Sequence, residues 1–149
     1  MGVEKGTYAL VLSLETEAEI AVGKFGRFAF PSGYYVYFGS ARSGLRQRVQ
    51  RHLRPEKRLR WHIDYLLQQA RVVEVWYIDH SQECLWASAA RKMPQSQIPV
   101  PGFGSSDCRC PSHLIYFPLL PSFEVFRQML GGQGLGAKKA SPISFLSRH

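Results

Sequence analysis

Arg48 and His52 stand four residues apart in the most basic stretch of the chain, and a planar guanidinium beside an imidazole suits a phosphodiester. On a helix this spacing puts both side chains on one face, within reach of a single ligand. The arginine fork matches a phosphoryl group, and the imidazole can accept a proton or hydrogen-bond the same group. The plainer readings are an ordinary surface arginine and a helix-end histidine that complements the helix dipole. A second constellation is Cys108-x-Cys110-x-x-His113 with Cys84, which offers four zinc ligands at a spacing that belongs to no standard ribbon or finger. Small packed thiols beside a tight loop would give the same pattern without metal.

The elements that must carry these residues follow from the hydrophobic pattern. Tyr34 to Gly39 is an aromatic and β-branched run that reads as a strand breaking at Ser40, where a phosphate could sit. Leu45, Val49 and Leu53 then recur every four residues as the buried stripe of a helix that stops at Pro55. Upstream, Thr7 to Leu14 reads as a first strand, and Ala18 to Phe30 as a further extended segment turned by Pro31-Ser32-Gly33. The turns are too short for crossover helices, so the pairing is expected to be antiparallel. Downstream come a helix from about Trp61 to Ala70, a strand Val72 to Ile78, and a helix capped by Ser81 that ends before Pro94. Trp61 and Tyr65 read as core, His62 and Asp64 as caps or braces of their helix. Pro94 to Ser112 is a long Pro/Gly/Ser loop, of a length that is usually functional or mobile. His113 to Leu120 gives a short strand, Phe123 to Leu130 a short helix, and residues 131–149 a basic, loosely ordered tail.

The 149 residues suit one domain, and 45% hydrophobic content argues against wholesale disorder. No apolar run reaches the length of a membrane span, and Glu4 stands where a signal peptide needs positive charge, so a cytoplasmic protein is expected. Three cysteines make no even disulfide framework, which points to reduced thiols. The net charge of +8 favours a polyanionic partner. Eight of the 19 basic side chains lie between Arg42 and Arg60, opposed only by Glu56, so the stretch reads as phosphate contact rather than as a salt-bridged helix face.

Gly6-Thr7-Tyr8 opening the first strand, Tyr37-Phe38-Gly39 closing a later one and Arg48-x-x-x-His52 on the next helix together resemble the GIY-YIG nuclease superfamily. The resemblance is closest to its small stand-alone Uri-type members, which Trp61-His62-Ile63-Asp64-Tyr65-Leu66 and Gly102-Phe103-Gly104-Ser105-Ser106-Asp107-Cys108 also resemble. It spans roughly Gly6 to Phe117. It implies an α+β domain, taken as residues 1–130, with a mainly antiparallel central sheet flanked by helices. The activity implied is hydrolysis of DNA phosphodiesters with one Mg²⁺ or Mn²⁺; RNA stays open as a second polyanion. In such enzymes the cation hangs on one glutamate in a helix after the third core strand. Carried onto this sequence, the motif tyrosines are Tyr8 and Tyr37, the arginine Arg48, the helix histidine His52 and the glutamate Glu83, with Asp107 and Asp64 as reserve ligands. Two departures stand out. The segment Ala18 to Phe30 separates triplets that usually share one hairpin, and Thr7 and Phe38 replace the isoleucines.

On this reading Arg48 holds the charge that builds on phosphorus, and Tyr8 or Tyr37 orients or deprotonates the water. A tyrosine, with a pKa of ~10, could serve as base only if cations stabilise its phenolate. Arg42, Arg46, Arg51, Arg54 and Arg58 supply contacts to the nucleic-acid backbone. Two other classes compete: a basic nucleic-acid-binding module without catalysis, and a zinc-containing structural domain.

Overall fold

The computed structural model describes residues 5–42, 44–105 and 108–146. Asp107, one of the reserve metal ligands, lies outside these. Five strands form the main antiparallel sheet: β1 (Gly6–Leu14), β4 (Gly33–Ala41), β5 (Arg71–Ile78), β6 (Leu114–Phe117) and β7 (Lys138–Ala140), in the order β6-β4-β1-β5-β7. β2 (Ala18–Val22) and β3 (Gly26–Phe30) form a separate two-stranded sheet. The helices are α1 (Leu45–Leu53), α2 (His62–Leu66), α3 (Glu83–Arg91), α4 (Phe123–Leu130) and α5 (Ile143–Leu146). The protein is thus α+β, and among the described residues no helix is long and apolar enough to cross a membrane.

Alternation along β1 expects one apolar face, yet both faces are buried. Tyr8, Leu10, Leu12 and Leu14 join Leu45 and Val49 of α1, Ile63 and Leu66 of α2, and Ile20, Val22 and Phe30 of the β2–β3 hairpin in one core. Ala9 and Val11 face the other way, into a second core with Val36, Phe38, Trp76, Trp86 of α3 and Phe126 of α4. The sheet is therefore the middle layer of three, which is why its central strands carry almost no polar residue.

The intervening segment does not disturb the motif strands. It turns back on itself at Gly23 as a hairpin, Ala18 opposite Phe30, and leaves β1 and β4 paired without interruption from Gly6↔Ala41 to Leu14↔Gly33. β4 also runs further than its aromatic pattern suggests, through Ser40 to Ala41, because Thr7 and Gly6 continue the ladder opposite it.

The C-terminal segment differs from the loose tail expected of it. A 3₁₀ turn at Gly131–Gly134 leads into β7, which pairs with Val75 to Tyr77 of β5. Phe145 of α5 then sinks into the first core, its ring edge-on to Tyr77 at 5.6 Å. Backbone hydrogen bonding and one buried aromatic hold what a Gly- and Lys-bearing composition does not announce.

Candidate active site

Tyr8 and Gly39 face each other across the β1–β4 ladder. A Cβ on Gly39 would overlap the Tyr8 hydroxyl, so glycine here lets the phenol lie across the neighbouring strand. The hydroxyl ends 2.7 Å from His52 Nε2, on the buried side of α1. His52 is only 2% exposed, and its Nδ1 has no hydrogen-bond partner. Burial pushes the imidazole down to about 3, against the pull of Asp64 and with the repulsion of Arg51, Arg48 and Lys57. It is therefore neutral at physiological pH. Burial likewise raises the Tyr8 phenol, although the Arg48 guanidinium partly offsets this, and burial raises Tyr37 too, reinforced by Tyr8 and Glu83. Neither tyrosine is a ready phenolate. With a neutral imidazole beside it, the Tyr8 hydroxyl can donate to Nε2 and keep its oxygen lone pairs for a water.

The neutral His52 has a consequence for stability. An unfolded chain protonates this imidazole below about pH 6.5, whereas the folded chain resists until about 3. Stability is unaffected above that window and falls by about 1.4 kcal/mol per pH unit on acidification within it. Urea unfolding from pH 7 to 5 should lower the stability of wild type relative to His52→Gln as the pH falls. The comparison isolates His52 from His113, whose raised pKa acts in the opposite sense. Equal slopes in the two proteins would rule the effect out.

Arg48 Nη1 donates to the Ser40 carbonyl at 3.1 Å, the guanidinium lies 4.8 Å from the Trp61 ring centroid, and it also interacts with the Tyr8 hydroxyl. Trp61 was expected in the core. It packs against the first core while staying half-buried, with the Arg51 and Arg60 guanidinium groups 4.1 and 5.8 Å from the same ring.

Arg51, expected as a contact to the nucleic-acid backbone, is paired within the protein. Its Nη1 and Nη2 donate to the two Asp64 oxygens at 2.9 and 3.0 Å, and its side chain is 16% exposed against 0% for Asp64. Burial alone would raise the Asp64 carboxyl, but hydrogen bonds from Arg51, Trp61 N and Arg60 N hold it below its ordinary value. Asp64 thus braces the start of α2, with both of its oxygens engaged by Arg51, Arg60 N and Trp61 N. The acid that the basic helix lacks lies on the next helix. Arg46 donates to the Ser144 carbonyl at 3.1 Å, while Arg54 and Arg58 are exposed and Arg42 lines the cleft described next.

A cleft of ≈ 500 Å³ opens over this group. Tyr8, Tyr37, Arg42, Arg48, Arg60 and Glu83 all contribute to its wall, so four of the five catalytic candidates share one cavity and the fifth, His52, stands behind Tyr8. Glu83 reaches it from the first turn of α3. Ser81 was expected to cap that helix, but Gln82 stands at the N-cap and makes no side-chain cap. Thr7 does the work from a distance: its hydroxyl donates to the His80 carbonyl and accepts from Gln82 N, both at 2.7 Å. Thr7 therefore fixes the approach to Glu83. Nothing in its own neighbourhood in the sequence signals this, since the bonded groups are more than 70 residues away.

The long loop closes the other side. His113 N donates to Phe103 O and Phe38 N to His113 O, both at 2.9 Å, while Gly104 N donates to His62 Nδ1. Gly104 has φ +69°, and a Cβ there would stand 2.9 Å from Tyr37 Cε1, so only glycine fits comfortably. Anchored in this way, His113 turns Nδ1 towards Glu83 Oε2 at 2.9 Å, an ion-pair contact rather than a well-aligned hydrogen bond. Burial lowers the imidazole's affinity for a proton, but Glu83 and Cys108 outweigh it and raise the pKa. On its other side, His113 Nε2 meets Cys108 Sγ at 3.2 Å and Cys84 Sγ at 3.9 Å. Cys84, Cys108, Cys110 and His113 bring their ligand atoms within 4.8 Å of one another and could hold a metal ion.

No curated protein and no solved structure matches the chain. One family does: over residues 7–131, from β1 to just past the end of α4, the chain belongs to the family described as a domain of unknown function, DUF123.

Proposed function

We propose that the protein is a metal-dependent endonuclease that hydrolyses DNA phosphodiester bonds in the cleft between β4, α1 and α3. The observation that carries this reading is the convergence of Arg48, Tyr8, Tyr37 and Glu83 on one cavity that Arg42 and Arg60 make positive. Arg48, already held by Ser40 and Trp61, receives the scissile phosphate and the charge that grows on it. Tyr8, its hydroxyl proton engaged by His52, orients the attacking water through the phenol oxygen; Tyr37, its ring centroid 6.5 Å from that of Tyr8, lines the cleft beside it. The Glu83 carboxylate, 27% exposed, fits a hard cation that takes its remaining ligands from water and phosphate, and Mg²⁺ or Mn²⁺ bound there would neutralise charge on the phosphate.

Incubation of the purified protein with supercoiled, branched and single-stranded DNA should give nicked or cut products only with Mg²⁺ or Mn²⁺. Glu83→Gln should remove the activity. Cleavage that persists unchanged in that variant would falsify the assignment of the metal. The competing reading, a binding module without catalysis, draws on Arg54 and Arg58, which are exposed away from the cleft wall. It predicts steeply salt-dependent DNA binding and no cleavage under any metal.

A further inference from the structure

We infer that Cys84, Cys108, Cys110 and His113 form a zinc site, and that His113 ties this zinc to Glu83, so that one metal sets the position of the carboxylate that serves the cleft. The zinc site stands on its own geometry; its influence on catalysis rests on the nuclease reading above.

The donor set is the first argument. Three thiols and an imidazole converge from three places: Cys84 from the first turn of α3, Cys108 and Cys110 from the long loop, and His113 from the residue before β6. All three cysteines are free, so no disulfide competes for them. Zn–S bonds of about 2.3 Å and a Zn–N bond of about 2.0 Å in a tetrahedron place ligand atoms roughly 3.5–3.8 Å apart. The separations of 3.2 and 3.9 Å from His113 Nε2 bracket that range, and the whole set lies within 4.8 Å. Small side-chain adjustments bring all four to bonding distance. Soft thiolates select zinc over the hard cation assigned to Glu83. On binding, the three thiols release their protons to solvent and the imidazole gives its Nε2 lone pair, which makes a centre of net charge −1.

The second argument is the far side of His113. A histidine that ligates through Nε2 must carry its proton on Nδ1, and such nitrogens commonly face a carboxylate that fixes the ring. Here Nδ1 is buried, lacks a well-aligned acceptor, and lies 2.9 Å from Glu83 Oε2. Zinc would hold that tautomer and turn the contact into a directed hydrogen bond. Glu83 would then be fixed from both ends, by Thr7 through the start of α3 and by zinc through His113.

The long loop gains a reason. Its two cysteines are the only residues of Pro94 to Ser112 that the site requires, and they clip the loop to α3.

Metal analysis of protein purified without chelators should find one zinc per chain. Reconstitution of the metal-free protein with Co²⁺ should produce thiolate-to-cobalt charge-transfer absorption together with intense tetrahedral bands. Loss of the charge-transfer bands in Cys108→Ser is expected; should that variant fail to fold, the wild-type spectrum alone decides, because its bands require thiolate ligands. Glu83→Ala should bind zinc about 10–100-fold more weakly, with affinity partly restored in Glu83→Gln, which keeps an oxygen for Nδ1–H. Absence of stoichiometric zinc, or a cobalt spectrum without thiolate bands, overturns the site. Unchanged zinc affinity in Glu83→Ala overturns the link to the carboxylate. These readouts need no DNA, so tight zinc binding by a protein that never cleaves would leave this inference standing while the nuclease reading fell.

Discussion

Arg48→Ala is expected to slow DNA cleavage by about 10²–10³-fold under single-turnover conditions with saturating DNA. The loss should appear in the chemical step, since the guanidinium is held in place before substrate arrives and one charge among several arginines adds little to affinity. Arg48→Lys should recover little of it. A lysine ammonium has no plane to lay on Trp61 and cannot bond the Ser40 carbonyl and a phosphate in the same fixed fork. Unfolding by urea should change much less, because Arg48 is only half-buried and its protein contacts are a carbonyl, a ring face and the Tyr8 hydroxyl. If Arg48→Ala weakens binding but leaves the single-turnover rate intact, then Arg48 is an ordinary DNA-facing arginine and the cleft lacks its phosphate clamp.

The second large effect concerns stability. Asp64→Ala should cost about 3–5 kcal/mol, because it leaves the mostly buried Arg51 guanidinium without its two carboxylate bonds. It also strips Arg60 N and Trp61 N of their acceptor at the start of α2. The urea midpoint should fall with the slope unchanged. Pairing the change with Arg51→Met should return part of the loss, since no uncompensated charge then remains. A cost below about 1 kcal/mol would place the pair among exposed bridges of little worth. Activity should fall further than stability requires, because Arg51 and Arg48 share the Trp61 ring and a slack Arg51 frees both.

The contrast between Arg51 and Arg48 shows what the sequence could and could not tell. The i, i+4 spacing of Arg48 and His52 on one helix was readable, and so were the strands of Tyr8 and Tyr37, because helix and strand periods are local. The bounds of helix α4, Phe123 to Leu130, were legible for the same reason, while its Ser122 cap emerges only from the structure. The pairing of Arg51 was not legible because its partner Asp64 lies 13 residues on, across a turn whose path no period predicts. Thr7 meets the residues before α3, and Glu83 meets His113, only once the sheet has formed, and their neighbours in sequence carry no mark of it. β7 escaped notice because three residues are too few to show alternation.

That short strand bears on how the protein behaves at high concentration. Without β7, β5 would be the outermost strand on its side, with the backbone groups of Val75 to Tyr77 open to strand addition by a neighbouring molecule. The rest of β5 carries Arg71 and Glu74, charges that discourage such pairing. β7 therefore covers Val75 to Tyr77 of β5 against strand addition, and removing Lys138 to Ala140 should raise strand-mediated self-association, which light scattering at rising concentration would register.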